Sequence, residues 1–191
     1  MKPAAEGKIQ RLLLLDDEPN ILSSLRRLLV AAPCAFNGVR YRLELECFQN
    51  PVQALARARH HPFDLFLVDY RMPDMDGVSF LRAVREAQPD AARLILSGYA
   101  DLNALTAAIN EAHVFRFISK PWLDYELVSA IAQALGYREL ALENQRLADL
   151  MRVQNGRLTP QELELKRLEA LEPGITRVRW GADGAVLLDE P

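Results

Sequence analysis

The sequence predicts an α/β protein, a doubly wound parallel sheet of five strands with helices on both faces. Three observations carry that reading. Residues 12–15 and 65–68 are short apolar runs with no polar interruption, the pattern of strands buried on both faces. Strand-like and helix-like stretches alternate five times, as βα units require. Three runs end on or just before Asp16-Asp17, Asp69 and Ser97, and open α/β sheets place their ligands at the carboxyl ends of their strands.

Each element has its own local reason. Residues 8–15 form the first strand. Residues 20–30 follow as a helix, with Pro19 at its start and Ile21, Leu25, Leu28 and Leu29 at helical spacing. The segment 32–38, APCAFNG, reads as a loop. Residues 41–48 form the second strand, with Leu43, Leu45 and Cys47 on one face, and 51–59 a short helix. The third strand, 65–69, ends where Pro73 and Asp76-Gly77 turn the chain into a helix over 78–87, with Phe80, Leu81 and Val84 inward. A strand at 93–96, a helix at 102–112, a strand at 114–118 and a helix from 123 complete the series. Connection rules favour a flavodoxin-like strand order, 2-1-3-4-5.

That order brings four strand ends to one edge of the sheet. They carry Asp16, Asp17, Asp69, Ser97 and Lys120. Crowded carboxylates repel and raise one another's pKa. A divalent, oxygen-seeking cation such as Mg²⁺ removes that cost and takes a phosphate oxygen as a further ligand. Lys120 and the Ser97 hydroxyl would meet the remaining phosphate oxygens. The set reads as a phosphoryl-transfer site with Asp69 as nucleophile. The plainer alternative for Asp69 is a cap on the turn that follows it.

Four motifs occur in order: DDEP at 16–19, DYRMPDMDG at 69–77, SG at 97–98 and KP at 120–121. Each is weak alone, but together, each after a strand, they are specific. Over about residues 9–137 the chain resembles the receiver domain of two-component response regulators. The resemblance implies Asp69 as phospho-acceptor and Mg²⁺ (or Mn²⁺) held by Asp16, Asp17, Asp69 and the Arg71 backbone carbonyl. It also implies Ser97 as switch hydroxyl, Phe117 as switch aromatic, Lys120 as phosphate-binding lysine and a cis Lys120-Pro121 peptide, a form accessible before proline. SGYAD and RFISKPW resemble receivers fused to HD-GYP phosphodiesterases and those of some transcriptional activators; the chain has no HD or GYP motif. The implied partners are a sensor histidine kinase or phosphotransfer protein and an unidentified output protein. The implied role is a phosphorylation-dependent switch without a separate catalytic output domain. An aspartate-nucleophile phosphatase would carry a second acid two residues after Asp69, where Arg71 stands. A scaffold with a vestigial site is opposed by the full residue set.

Domain boundaries are expected at 1–137 for the receiver, 138–158 for a helical extension and 159–191 for a tail. Leu140, Asn144, Leu147, Met151, Gln154 and Leu158 follow alternating three-and-four spacing, a coiled-coil seam suited to a homodimer. Asn155-Gly156 marks a break. Thr159-Pro160-Gln161-Glu162 is a capping box with proline at the first helical position, opening a helix to about 171. Residues 176–180 and 185–188 read as a small hairpin. The tail from Arg138 holds 8 Lys/Arg and 10 Asp/Glu, so no basic face points to DNA. Its Glu169-Ala170-Leu171 spells the name of a phosphodiesterase class by chance, because that class needs a large barrel.

The formal net charge of −3 offers no global attraction for nucleic acid or acidic membranes. Cys34 and Cys47 read as reduced thiols, and no signal or membrane-spanning stretch is evident, so a cytoplasmic location is expected. His60, His61 and His113 lack metal-ligand spacing. Tyr99 is placed to gate the site or to pack beside it. Trp122 reads as an anchor for the last receiver helix.

Overall fold

The computed structural model describes residues 7–98, 112–171, 179–180 and 186–187. Its central sheet is built from β1 (Lys8–Leu15), β2 (Cys34–Phe36), β3 (Val39–Phe48), β4 (Leu65–Asp69), β5 (Ala92–Ser97) and β6 (Arg116–Ser119), in the order β2-β3-β1-β4-β5-β6. Five of these strands run parallel in the expected order, with β3, β1, β4, β5 and β6 taking places 2-1-3-4-5.

The sixth strand corrects the expected loop at 32–38. Cys34–Phe36 pairs antiparallel with Val39–Tyr41, and Asn37 and Gly38 both adopt positive φ, 48° and 81°. An Asn-Gly pair with both residues left-handed is the signature of a two-residue hairpin turn. The pair was visible in the sequence, and the short CAF run before it hid the strand.

Side-chain alternation along β1 explains its four consecutive leucines. Leu12 and Leu14 enter one core with Leu65, Leu67, Leu94 and Leu96, while Leu13 and Leu15 enter the other with Phe66, Val68 and Ile95. The first core is covered by α1 (Pro19–Ala31) and by the long helix α4 (Asp124–Gln154), through Leu22, Leu25, Leu29, Leu127, Ile131 and Leu135. The second is covered by α2 (Pro51–His60) and α3 (Gly77–Ala87), with Phe80, Leu81 and Val84 fully buried as expected. Each such leucine or phenylalanine contributes roughly 1.5–3 kcal/mol by leaving water. On α1 the inward set centres on Leu22, Leu25 and Leu29, while Ile21 and Leu28 are only partly buried at its margin. Trp122 packs against the first core, as an anchor should. The expected helix at 102–112 lies outside the described residues except for the buried Ala112, and Tyr99 also lies outside them.

Helix α4 runs without a break from the receiver core into the extension and ends at Gln154, followed by Gly156 at φ 67°. Leu158 therefore falls in the connecting turn, not on the seam. Helix α5 (Pro160–Leu171) opens with the expected capping box: the Glu162 carboxylate accepts from the Thr159 amide and hydroxyl, and the Thr159 hydroxyl accepts from the Glu162 amide. Strands β7 (Arg179–Trp180) and β8 (Val186–Leu187) pair antiparallel, as the expected hairpin requires. Among the described residues, no helix is long and apolar enough to cross a membrane.

Candidate phosphoryl-transfer site

The carboxyl ends of β1, β4, β5 and β6 converge. Parallel register sets Leu15 beside Val68, Asp69 beside Leu96 and Ser97 beside Ser119. The residues that end these strands, or follow them by one or two positions, therefore share one edge. Two loop hydrogen bonds hold that edge: Tyr70 N–H to the Leu96 carbonyl at 2.8 Å, and Lys120 N–H to the Ser97 carbonyl at 2.8 Å.

Carboxylate oxygens of Asp16, Asp17 and Asp69 lie within 4.8 Å of one another. Asp16 and Asp69 are buried, while Asp17 is the more open. Lys120 Nζ stands between the two buried acids, 2.7 Å from Asp16 Oδ2 and 2.5 Å from Asp69 Oδ1. The other Asp16 oxygen accepts from the Glu18 amide at 2.9 Å. Ser97 is buried at the end of β5, and Phe117, half-buried on β6, packs against the second core. The Lys120-Pro121 peptide is cis.

Electrostatics follow from that crowding. Burial raises the Asp69 pKa, and Asp16 adds to the rise; the Lys120 ammonium and the Arg71 backbone amide pull it down without cancelling the rise. Burial alone would lower the Lys120 pKa, but its hydrogen bonds to Asp16 and Asp69 outweigh that and raise it. Lys120 is thus firmly cationic and offsets one of the three acidic charges. Three close carboxylates with one side open fit a hard divalent cation, which favours oxygen ligands and carboxylates.

Every sequence-predicted site residue among Asp16, Asp17, Asp69, Ser97 and Lys120 comes to this edge. Arg71 is exposed just beyond β4, and its backbone amide contributes to the site by donating to Asp69. His60, His61 and His113 are exposed and take no part in the acidic cluster. One contributor was missed in the sequence. A Cβ on Gly77 would collide with the Asp69 carbonyl, so the residue that turns the chain into α3 also lets the loop close over the Asp69 backbone. The Gly77 amide donates to the Tyr70 carbonyl at 2.9 Å, and the Asp76 side chain caps α3 by accepting from the Val78 and Ser79 amides. The signal is the Asp-Gly pair that closes the DYRMPDMDG motif, whose turn character is legible but whose close approach to Asp69 is not.

Comparison with known proteins agrees with the geometry. Residues 12–132 match the family model of the response regulator receiver domain. The receiver protein CpdR of Brucella abortus is 33% identical over 129 residues, covering 66% of this chain and 98% of that protein. The hydrogenase transcriptional regulatory protein HoxA of Bradyrhizobium diazoefficiens is 29% identical over 175 residues, covering 92% of this chain but only 33% of that regulator. This chain thus spans about a third of the length of such a regulator. The signal receiver domain of an HD domain-containing protein from Pseudomonas fluorescens Pf-5 is 32% identical with a TM-score of 0.59, over 69% of this chain and 98% of that one. The family-model match over residues 12–132 and the 33% identity across nearly the whole of CpdR lead to one conclusion: this chain belongs to the receiver domain family of two-component response regulators.

Proposed function

We propose that this receiver takes a phosphoryl group onto Asp69 from a sensor histidine kinase or phosphotransfer protein and passes the change of state to its C-terminal extension. The observation that supports it most is Lys120 Nζ held between Asp16 and Asp69, at 2.7 and 2.5 Å, beside three clustered carboxylates. An Asp69 oxygen attacks phosphorus. The P–N bond of the donor phosphohistidine breaks, and its electron pair stays on the imidazole nitrogen, which takes a proton from water. A divalent cation, Mg²⁺ or Mn²⁺, held by Asp16, Asp17, Asp69 and the Arg71 carbonyl, supplies charge neutralisation when bound. Lys120 then exchanges its bond to Asp69 for a phosphoryl oxygen, and the Ser97 hydroxyl donates to another. Movement of the Ser97 loop opens space into which Phe117 turns. That is a shift between two packings, and it changes the surface next to α4. A cytoplasmic location fits this partnership.

Incubation with acetyl phosphate and Mg²⁺ tests the reading. One acid-stable, alkali-labile acyl phosphate per chain is expected; no label would oppose it. Phosphate release from an added phosphomonoester pool would favour a phosphatase instead. Lys120→Ala is expected to retain partial labelling but to lose the accompanying change in the environment of Phe117, read by ¹⁹F NMR of fluorophenylalanine. A normal response would remove Lys120 from the switch.

The extension supplies a surface for a second copy. Leu140, Leu147 and Met151 on α4 are 55%, 50% and 65% exposed, although they share one face. Helix α5 folds back on the opposite face, where Asp149 is buried and pairs with Lys166 at 3.4 Å and Arg152 at 2.6 Å. Among the described residues, helix α5 leaves this apolar stripe exposed. Asn144, buried at a two-fold seam, would favour one register. Light scattering of the full chain, with and without beryllium fluoride, is expected to show a dimer strengthened by activation. A monomer at high concentration in both states would make the stripe a docking surface for a different protein.

A further inference from the structure

Helix α4 carries a glycine where it leaves the receiver. Gly136 is buried in the middle of the helix, and glycine weakens a helix relative to alanine. The glycine is required there because a Cβ would strike the Phe36 ring of the β2 hairpin. The helix beyond it, 140–154, is only marginally long enough to hold itself together in water. A helix broken at Gly136 would swing freely.

The three residues after Gly136 oppose that break. The Tyr137 ring lies between Phe36 and Phe115, at centroid distances of 5.9 and 5.5 Å. Arg138 pairs with Asp64 at 2.9 Å and donates to the Asp90 carbonyl at 3.1 Å. Glu139 pairs with Lys8 at 2.9 Å and accepts from Gln10 Nε2 at 3.1 Å and from the Tyr41 hydroxyl at 3.4 Å. The partners come from β1, β3 and the loops before β4 and β5, so the amino-terminal end of the sheet is gripped on several sides. Arg138 and Glu139 side chains are only 19% and 20% exposed, well below typical surface pairs. The next residue, Leu140, is already exposed.

We propose that Gly136–Glu139 is a locked hinge: Gly136 is the flexible point, and Arg138 and Glu139 are positioning residues that clamp the extension to the base of the receiver as one rigid body. The clamp lies at the opposite end of the strands from Asp69. None of its contacts involves Asp69, so its failure would leave the phosphoryl-transfer reading untouched. Phe115 lies two residues before Phe117, so Tyr137 is also where a repacking of β6 would first meet the extension.

Residual dipolar couplings on the full chain test the clamp. In the unaltered protein, one alignment tensor is expected to fit the receiver strands and residues 140–154 together. In Arg138→Ala/Glu139→Ala, two tensors are expected, and amide exchange at 140–145 should quicken about tenfold or more. Unchanged amide shifts in β4 and β5 would show that the receiver stays folded. Adding Phe36→Ala and Gly136→Ala should remove the hinge and restore one tensor, which a general loss of stability would not do. Two tensors in the unaltered protein, or one in the double variant, would overturn the proposal. If the double variant does not fold, Arg138→Ala alone takes its place, with two tensors expected and a single tensor overturning the proposal.

Discussion

Asp69→Asn is expected to reduce acetyl phosphate labelling to background while making the cation-free protein more stable near neutral pH. The first effect follows from the proposed role of Asp69 as nucleophile, because an amide oxygen does not form a lasting acyl phosphate. The second follows from the pKa direction. Burial holds the folded-state Asp69 pKa above its ordinary 3.8 despite Lys120. A group raised in the folded state contributes its stability below the unfolded pKa, and that stability is lost as pH rises through the folded value. At neutral pH the ionised Asp69 is therefore a cost that asparagine does not carry. Thermal melts in chelator should show a higher Tm for Asp69→Asn near neutrality, with the gap closing as pH falls through the folded Asp69 value and gone below the ordinary 3.8. Saturating Mg²⁺ should stabilise the unaltered protein more than the variant, since binding to the folded state adds RT ln(1 + [L]/Kd). Persistent labelling of the variant would place the acceptor elsewhere, and an equal or lower Tm in chelator would contradict the electrostatic account.

Gly77→Ala is expected to be among the most damaging single-methyl changes in the receiver. The new Cβ would meet the Asp69 carbonyl, which is backbone and cannot rotate away. Either α3 shifts off the sheet or the end of β4 moves, and Asp69 leaves Lys120. Overpacking of this kind costs about 1–3 kcal/mol. The loss in phosphorylation rate should be larger than the stability change implies, because a displacement of about 1 Å at a reacting atom costs on the order of 100-fold. Stopped-flow phosphorylation with denaturant melts separates the two. A variant that loses stability but keeps its rate would show that α3 moves and Asp69 does not.

The legible parts of this chain were those in which one residue type carries one physical demand. Unbroken leucines at 12–15 could only be a strand buried on both faces, and the structure divides them between two cores. The acids and Lys120 were legible because strand ends fix position without knowledge of packing. Thr159 and Glu162 were legible because a capping box is local. Three features were not. The β2 hairpin rested on an Asn-Gly turn flanked by runs too short to show alternation. Gly77 and Gly136 meet distant atoms, Asp69 and Phe36, and no local pattern announces a clash that glycine avoids. Arg138 and Glu139 resemble any solvated helical pair until the fold brings Asp64, Lys8, Gln10 and Tyr41 to them. For the same reason the structure ties residues 138 and 139 to the receiver, two residues beyond the boundary expected at 137.

Borohydride reduction of the phosphorylated full chain, followed by peptide mass mapping, is the most direct test of the central claim. Reduction converts an aspartyl phosphate to homoserine and leaves free carboxylates unchanged. The structure, with Lys120 Nζ 2.5 Å from Asp69 Oδ1, predicts homoserine at position 69 alone. Homoserine at 16, 17, 74 or 76, or none in a protein that has taken up label, would contradict it.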